Sequence, residues 1–154
     1  MTGDQKARVP SLQERALRLL ARREHSRAEL GRKLVPHAAD PEEVERVLDE
    51  CERRGWLSER RVVEQRVHTL RKRFGVRRIE RDLRQRGISE EAVAVALAGL
   101  KEGEAEAARA VWSRKFGGRQ PRRPADRARQ VRFMQGRGFD LEVILKVIRG
   151  AEED

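Results

Sequence analysis

The sequence predicts an all-α protein, an elongated and curved array of three tandem three-helix repeats with about nine helices. Three observations predict it. The first is a recurring unit: Arg86, Gly87, Ile88, Ser89, Val93 and Leu97 return 51 residues later as Arg137, Gly138, Phe139, Asp140, Ile144 and Ile148. Forty-nine residues before Ile79, Leu83, Ser89, Val93 and Leu97 stand Leu30, Leu34, Asp40, Val44 and Leu48. The second is local: apolar residues fall at helical spacing, and Ser or Asp opens the stripes where a helix needs a cap. The third is composition. A charged fraction of 40% against 38% hydrophobic and 4% aromatic leaves too little for one deep core but suits helices that each bury a narrow stripe. Low hydrophobicity with a net charge of +10 is also a signature of disorder, and the capped, periodic stripes argue against it for most of the chain.

In order, residues 1–10 are polar and end at Pro10, so a disordered tail is expected. The first repeat covers residues 11–57. Ser11 caps a helix carrying Leu12, Ala16, Leu19 and Leu20 and ending near Arg23; Ser26 with Glu29 makes a capping box for a short helix holding Leu30 and Leu34. Asp40, Pro41 and Glu43 supply the N-cap, N1 proline and capping-box acid of a third helix to Arg54, with Val44, Val47, Leu48 and Cys51 inward.

Gly55 closes that unit, and the second repeat covers residues 58–100. Leu57 and Val62 form a hydrophobic staple around the cap Ser58, and the helix runs to about Phe74 with Val63, Val67 and Leu70 apolar. After Gly75 come Val76, Ile79 and Leu83 on one helical face, a stop at Gly87, and a helix capped by Ser89 with Glu90 and Glu91 at the positive end of its dipole.

The third repeat covers residues 101–150. Ala105, Ala108, Val111, Trp112 and Phe116 form the inward stripe of its first helix, which Gly117 and Gly118 end. Arg119-Gln120-Pro121-Arg122-Arg123-Pro124 reads as an exposed basic loop. Ala128, Val131 and Met134 are a weakly periodic helix, and Asp140 opens the last one with Leu141, Ile144, Leu145 and Ile148. Residues 151–154 form an acidic tail.

The charge is uneven along the chain. Residues 1–57 carry 12 basic and 11 acidic side chains, residues 58–100 carry 11 and 6, and residues 101–154 carry 13 and 9, so the excess lies in the last two repeats. A pI near 11.0 points to an anionic partner. Three basic groups make the candidate surface: Arg71, Lys72 and Arg73 at the end of one helix; Arg77, Arg81 and Arg84 opposite the apolar face of the next; and Arg114, Lys115, Arg119, Arg122, Arg123 and Arg127 in and around the loop. Some of this charge can be spent internally, since Arg78 and Asp82, like Glu80 and Arg84, are four residues apart.

Catalysis finds little support. His25, His37 and His68 have no second ligand at metal spacing and read as surface or capping residues, no phosphate loop follows a strand, and tyrosine is absent. No metal and no cofactor is expected. Cys51, a lone cysteine in register with Val44, Val47 and Leu48, reads as a core residue in a reducing cytoplasm. With no apolar run of membrane-spanning length and a polar N-terminus, a cytoplasmic location, no membrane contact and a monomer are expected. A helix-turn-helix reader is disfavoured, because the candidate recognition helices open with Pro41-Glu42-Glu43, Ser89-Glu90-Glu91 and Asp140-Leu141-Glu142, which phosphates repel.

Residues 16–30 (Ala-Leu-Arg-Leu-Leu-Ala-Arg-Arg-Glu-His-Ser-Arg-Ala-Glu-Leu), Arg-Gly-Trp-Leu-Ser at 54–58, Arg-Ile-Glu-Arg-Asp-Leu-Arg-Gln-Arg-Gly-Ile-Ser at 78–89, Trp-Ser-Arg-Lys-Phe-Gly at 112–117 and Arg-Phe-Met-Gln-Gly-Arg-Gly-Phe at 132–139 together resemble the RecX family of bacterial regulatory proteins. The likeness covers about residues 12–149 and departs at Glu59-Arg60-Arg61-Val62, where the family more often has an acidic pair and then an aromatic residue. It implies a non-enzymatic regulator that binds the RecA recombinase, lies in the groove of its nucleoprotein filament, and restrains filament extension, ATP hydrolysis, strand exchange and the co-protease activity behind the SOS response. The basic surface above would then meet the filament and make weak DNA contact. The alternative is a sequence-tolerant nucleic-acid-binding repeat protein without a RecA partner, disfavoured by the scarcity of aromatic stacking platforms.

Overall fold

A computed structural model describes residues 8–150, and among these all regular secondary structure is helical, with no strand. The nine helices are α1 (Leu12–Arg22), α2 (Arg27–Leu34), α3 (Pro41–Arg53), α4 (Glu59–Arg71), α5 (Val76–Gln85), α6 (Glu90–Lys101), α7 (Glu104–Phe116), α8 (Pro124–Gly136) and α9 (Leu141–Gly150), with a single 3-10 turn at Val35–His37. The all-α architecture of tandem three-helix repeats is therefore the observed one. Of the expected N-terminal tail, Arg8, Val9 and Pro10 precede α1 without regular structure, and residues 1–7 and the acidic residues 151–154 lie outside the described residues. The chain divides after Val62, within α4, into two compact units.

In the first unit the capping residues act as the sequence requires. Ser11 Oγ accepts from the Glu14 N–H at 3.1 Å, Ser26 and Glu29 close a reciprocal capping box, and Asp40 accepts from the Glu43 N–H at 2.8 Å. These caps aim the apolar stripes at one another, so that Leu12, Ala16, Leu30, Leu34, Val44, Leu48, Cys51 and Leu57 form one buried cluster. Each buried leucine contributes roughly 2 kcal/mol. Arg27 ties α2 to α3 through Glu45, Asp49 and Glu52 at 2.7, 2.8 and 2.9 Å. Partial burial works against its charge, but the three carboxylates outweigh it and raise its pKa. Burial pushes the Cys51 thiol up, in keeping with a core role.

His25 corrects the expectation of a surface or capping residue. It is 1% exposed, with Nδ1 2.9 Å from the Arg23 carbonyl and Nε2 3.2 Å from Lys33 Nζ. The polar ring fits inside because both nitrogens are satisfied, with Nδ1–H donating to the carbonyl and Nε2 accepting from the ammonium.

The second unit is held by contacts between its two repeats. One apolar cluster lies among α7, α8 and α9: Ala108, Val111, Trp112, Met134, Phe139, Ile144, Val147 and Ile148. Upon this bundle sits the N-terminus of α5. Helix α4 ends at Arg71 rather than near Phe74, because the Arg73 and Phe74 N–H groups turn back to the Leu70 carbonyl and the chain then docks elsewhere. The Gly75 N–H donates to the Arg137 carbonyl at 2.8 Å and the Arg77 N–H to the Gly138 carbonyl at 3.1 Å. Between them, the Val76 N–H donates to Glu104 Oε1 at 3.1 Å. The Val76 and Arg77 N–H groups, which the start of a helix leaves free, are thus met by the third repeat.

This docking needs two glycines. A Cβ on Gly75 would stand 2.5 Å from the Gly138 carbonyl oxygen, and one on Gly138 would stand 2.6 Å from the Arg78 backbone nitrogen. Glu104, 5% exposed, also binds the Arg71 guanidinium. Its inward position corrects the α7 stripe: Glu104, Ala108, Val111 and Trp112 face inward, and Ala105 is exposed.

Candidate functional site

The docking that builds the second unit also sorts the candidate cations. Arg71 leaves the candidate surface: its side chain is 18% exposed and donates to Glu104 and to the Leu100 carbonyl, so it clamps α4 to the α6–α7 junction. Lys72 and Arg73, the next two residues, are exposed. No ion pair joins either to a described carboxylate.

On the outer face of α5 the charge is largely matched. Arg77 pairs with Asp140, and Arg84 with Glu80 and Glu90. Arg81 alone of the three is exposed with no paired carboxylate among the described residues. Of the two anticipated i,i+4 pairs, Glu80 with Arg84 forms, whereas Asp82 turns to Arg66 and Arg86 at 2.8 and 3.1 Å. Burial would raise Asp82, but those guanidinium groups prevail and hold its carboxyl below the usual range. Arg78 lies instead over the Phe74 ring, 5.1 Å from its centre.

The basic loop is held by two glutamines, Gln120 and Gln130, that no sequence pattern singles out. Trp112 Nε1 donates to the buried Gln130 Oε1 at 2.9 Å, Gln130 Nε2 donates to the Arg119 carbonyl at 3.3 Å, and Gln120 Nε2 donates to the Ile148 carbonyl at 3.0 Å. Arg119, Arg122 and Arg123 project into solvent from this anchored backbone, and Arg127 is half-buried on α8. Arg129 faces Asp126 at 3.8 Å beside them.

A third arrangement joins residues from four segments. Lys72 and Arg73 from the end of α4, Arg114 and Lys115 from α7, Phe133 from α8 and Arg137 from the α8–α9 turn line one groove. Arg114 donates to the Lys72 carbonyl, fixing one wall to the other. Phe133 packs edge-to-face with Phe116 and carries Lys115 and Arg137, each 5.1 Å from its ring centre. Arg137 also lies 5.3 Å from the Phe74 ring centre. Such cation–π contacts position a charge without neutralising it. Arg137 and Phe74 were not among the candidates, because their meeting depends on the docking of α5 on the α8–α9 turn.

No group of three or more His, Cys, Asp or Glu that could hold a metal ion occurs among the described residues. No helix among them is long and apolar enough to cross a membrane.

Fold and surface define a class: a tandem three-helix-repeat protein displaying anchored, uncompensated cations. Family models describing the first, second and third three-helix domains of RecX match residues 14–51, 58–97 and 102–148. The chain is 50% identical over 147 residues to a regulatory protein RecX from Leptothrix cholodnii, covering 94% of this chain and 91% of that one. It is 46% identical over 143 residues to the one from Ralstonia pickettii, covering 93% and 89%. The crystal structure of RecX from Lactobacillus salivarius shares the fold, with a TM-score of 0.79 at 15% identity over 93% of this chain and 96% of that one. The chain belongs to the RecX family of regulatory proteins.

Proposed function

We propose that the chain is a non-enzymatic modulator of the RecA recombinase, binding its nucleoprotein filament and restraining extension, ATP hydrolysis, strand exchange and co-protease activity. The observation that carries this reading is the match of all three RecX domains in order along one chain. The uncompensated cations of the second unit support it, because a filament that holds DNA is a dense anion. Their charge would speed encounter and make affinity salt-sensitive, while apolar contacts supply specificity.

The test is RecA-catalysed ATP hydrolysis on single-stranded DNA with substoichiometric added protein. Inhibition well beyond one-for-one titration is expected. An unchanged rate at equimolar protein would refute the proposal. Equal effects on filaments of an unrelated DNA-binding protein would favour the alternative of a sequence-tolerant nucleic-acid binder.

A further inference from the structure

We propose that the groove between the end of α4 and the C-terminal half of α7 seats the phosphodiester backbone of a single nucleic-acid strand, without reading its bases. The proposal deepens the modulator reading and rests on it for the setting in which such a strand is met.

The groove has a volume of about 490 Å³ and is lined by Lys72, Arg73, Arg114, Lys115 and Arg137 over Val111 and Phe133, with no carboxylate in its lining. That separates it from the other two basic depressions of this unit. The one on α5 includes Glu80, and the one under the loop includes Asp126. Five like charges in one groove repel each other and raise the energy of the empty protein, and an anion among them removes that cost.

Its construction indicates which anion. Three of the five cations are held rather than loose: Arg114 is tied to the Lys72 carbonyl, and Lys115 and Arg137 are laid on Phe133. Little conformational entropy is then lost on binding. The same contacts occupy the aromatic faces. Phe133 carries two cations and Phe74 carries Arg78 and Arg137, so bases compete with cations already in place for these rings. What remains accessible is N–H donors and positive charge, which engage phosphate oxygens and carry no sequence information. Cations bordering a cleft over an apolar floor suit one extended strand lying between them. A duplex, with its phosphates on a broad convex surface, meets only the rim.

The experiment is fluorescence anisotropy of a labelled oligothymidylate, titrated with the full chain at several NaCl concentrations. A Lys72→Gln/Arg73→Gln/Lys115→Gln variant is compared with a charge-matched Arg119→Gln/Arg122→Gln/Arg123→Gln variant; Lys72→Gln/Arg73→Gln is a second groove variant that leaves the Phe133 packing whole. The groove triple variant is expected to lose at least tenfold in affinity at 50 mM NaCl, and its dependence of log affinity on log salt to flatten by about 2, from about 0.7 per phosphate contact. The loop variant should lose less than threefold. Equal losses in both variants, or no loss in either groove variant, would overturn the assignment. So would displacement of the oligothymidylate by poly-glutamate at equal charge concentration, which would make the groove a seat for acidic polypeptide. Because strand binding is measured without RecA, unchanged binding overturns the groove while leaving the hydrolysis result standing, and absent inhibition of hydrolysis does the reverse.

Discussion

Replacing Gly138 by alanine tests the contact on which the second unit is built. Gly138 has φ +95°, where an L side chain costs about 1–2 kcal/mol. Its added methyl would stand 2.6 Å from both the Cβ and the backbone nitrogen of Arg78. Those atoms belong to the first turn of α5 and cannot swing aside as a side-chain end can, so α5 must back away. Doing so stretches the Gly75 to Arg137 and Arg77 to Gly138 hydrogen bonds, each worth about 1 kcal/mol. Together the loss comes to about 3–4 kcal/mol, a large part of the 5–15 typical of a whole domain. Two companions separate strain from clash. Gly117→Ala carries a similar strain at φ +65° with nothing within 4 Å of the new methyl, and should cost about 1–2 kcal/mol. Gly75→Ala has φ −87° and no backbone strain, but meets Gly138 and Phe139 atoms at 2.5–2.7 Å, and should cost about 2 kcal/mol from the loosened hydrogen bonds alone. Equilibrium urea denaturation measures all three. Equal destabilisation by Gly138→Ala and Gly117→Ala would refute the reasoning, since it would mean that the close approach of α5 to the α8–α9 turn contributes nothing.

Two further outcomes follow from buried polar groups. Glu104→Ala leaves the Val76 N–H without an acceptor and the Arg71 guanidinium without its carboxylate in a poorly hydrated place and should cost about 3–5 kcal/mol in urea denaturation, against no more than about 1 kcal/mol for Arg77→Ala on the exposed face. His25 has a lowered pKa, because burial disfavours its charged form and Arg23 and Lys33 repel it, against the opposing pull of the Arg23 carbonyl and Glu29. Its unfolded form therefore binds a proton first as pH falls, so the stability contributed by the neutral ring is complete above about pH 6.5 and is lost as pH drops towards the folded pKa. Denaturation midpoints between pH 7.5 and 5.5 should decline in the native chain and decline less in His25→Gln; parallel slopes would show that the ring does not control this window.

The sequence carried most of what is local. The caps at Ser11, Ser26, Asp40, Ser58 and Ser89, the left-handed turns at Gly87 and Gly138, and the buried faces of α3 and α5 all follow from rules that act over four or five residues, whereas on α9 Leu141 is exposed and Val147 takes a place in the core beside Ile144 and Ile148. What it withheld is what depends on residues far apart. Gly75 reads as a spacer and Gly138 as a turn, and nothing in either stretch says that they meet across 63 positions of sequence. Glu104, absent from the apolar stripe read for its helix, faces inward because two donors from the α4–α5 segment converge on it. His25 reads as a surface or capping residue, yet it is buried because the Arg23 carbonyl satisfies its ring, and Gln130, which no local pattern singles out, is buried because it accepts from the Trp112 indole N–H. The candidate surface was legible as a composition of cations. Which of them are matched by carboxylates was not.

The repeat itself explains why that matching differs between the two halves of the second unit. The 51-residue offset that carries Arg86 onto Arg137 also carries Asp82 onto Phe133. In the second repeat the arginine finds a carboxylate one helical turn back, and Arg86 Nε donates to Asp82 Oδ1 at 3.1 Å. In the third, the same backbone position offers a ring, and Arg137 lies on it with its charge intact. One unit used twice thus yields a neutralised arginine that stiffens the fold and an uncompensated one that borders a cationic groove. The difference is a single side-chain type at one register position. If repulsion within the groove were merely tolerated, a carboxylate at the Phe133 position would relieve it, as its counterpart does in the preceding repeat. The aromatic residue instead fixes the charge where an external anion can reach it.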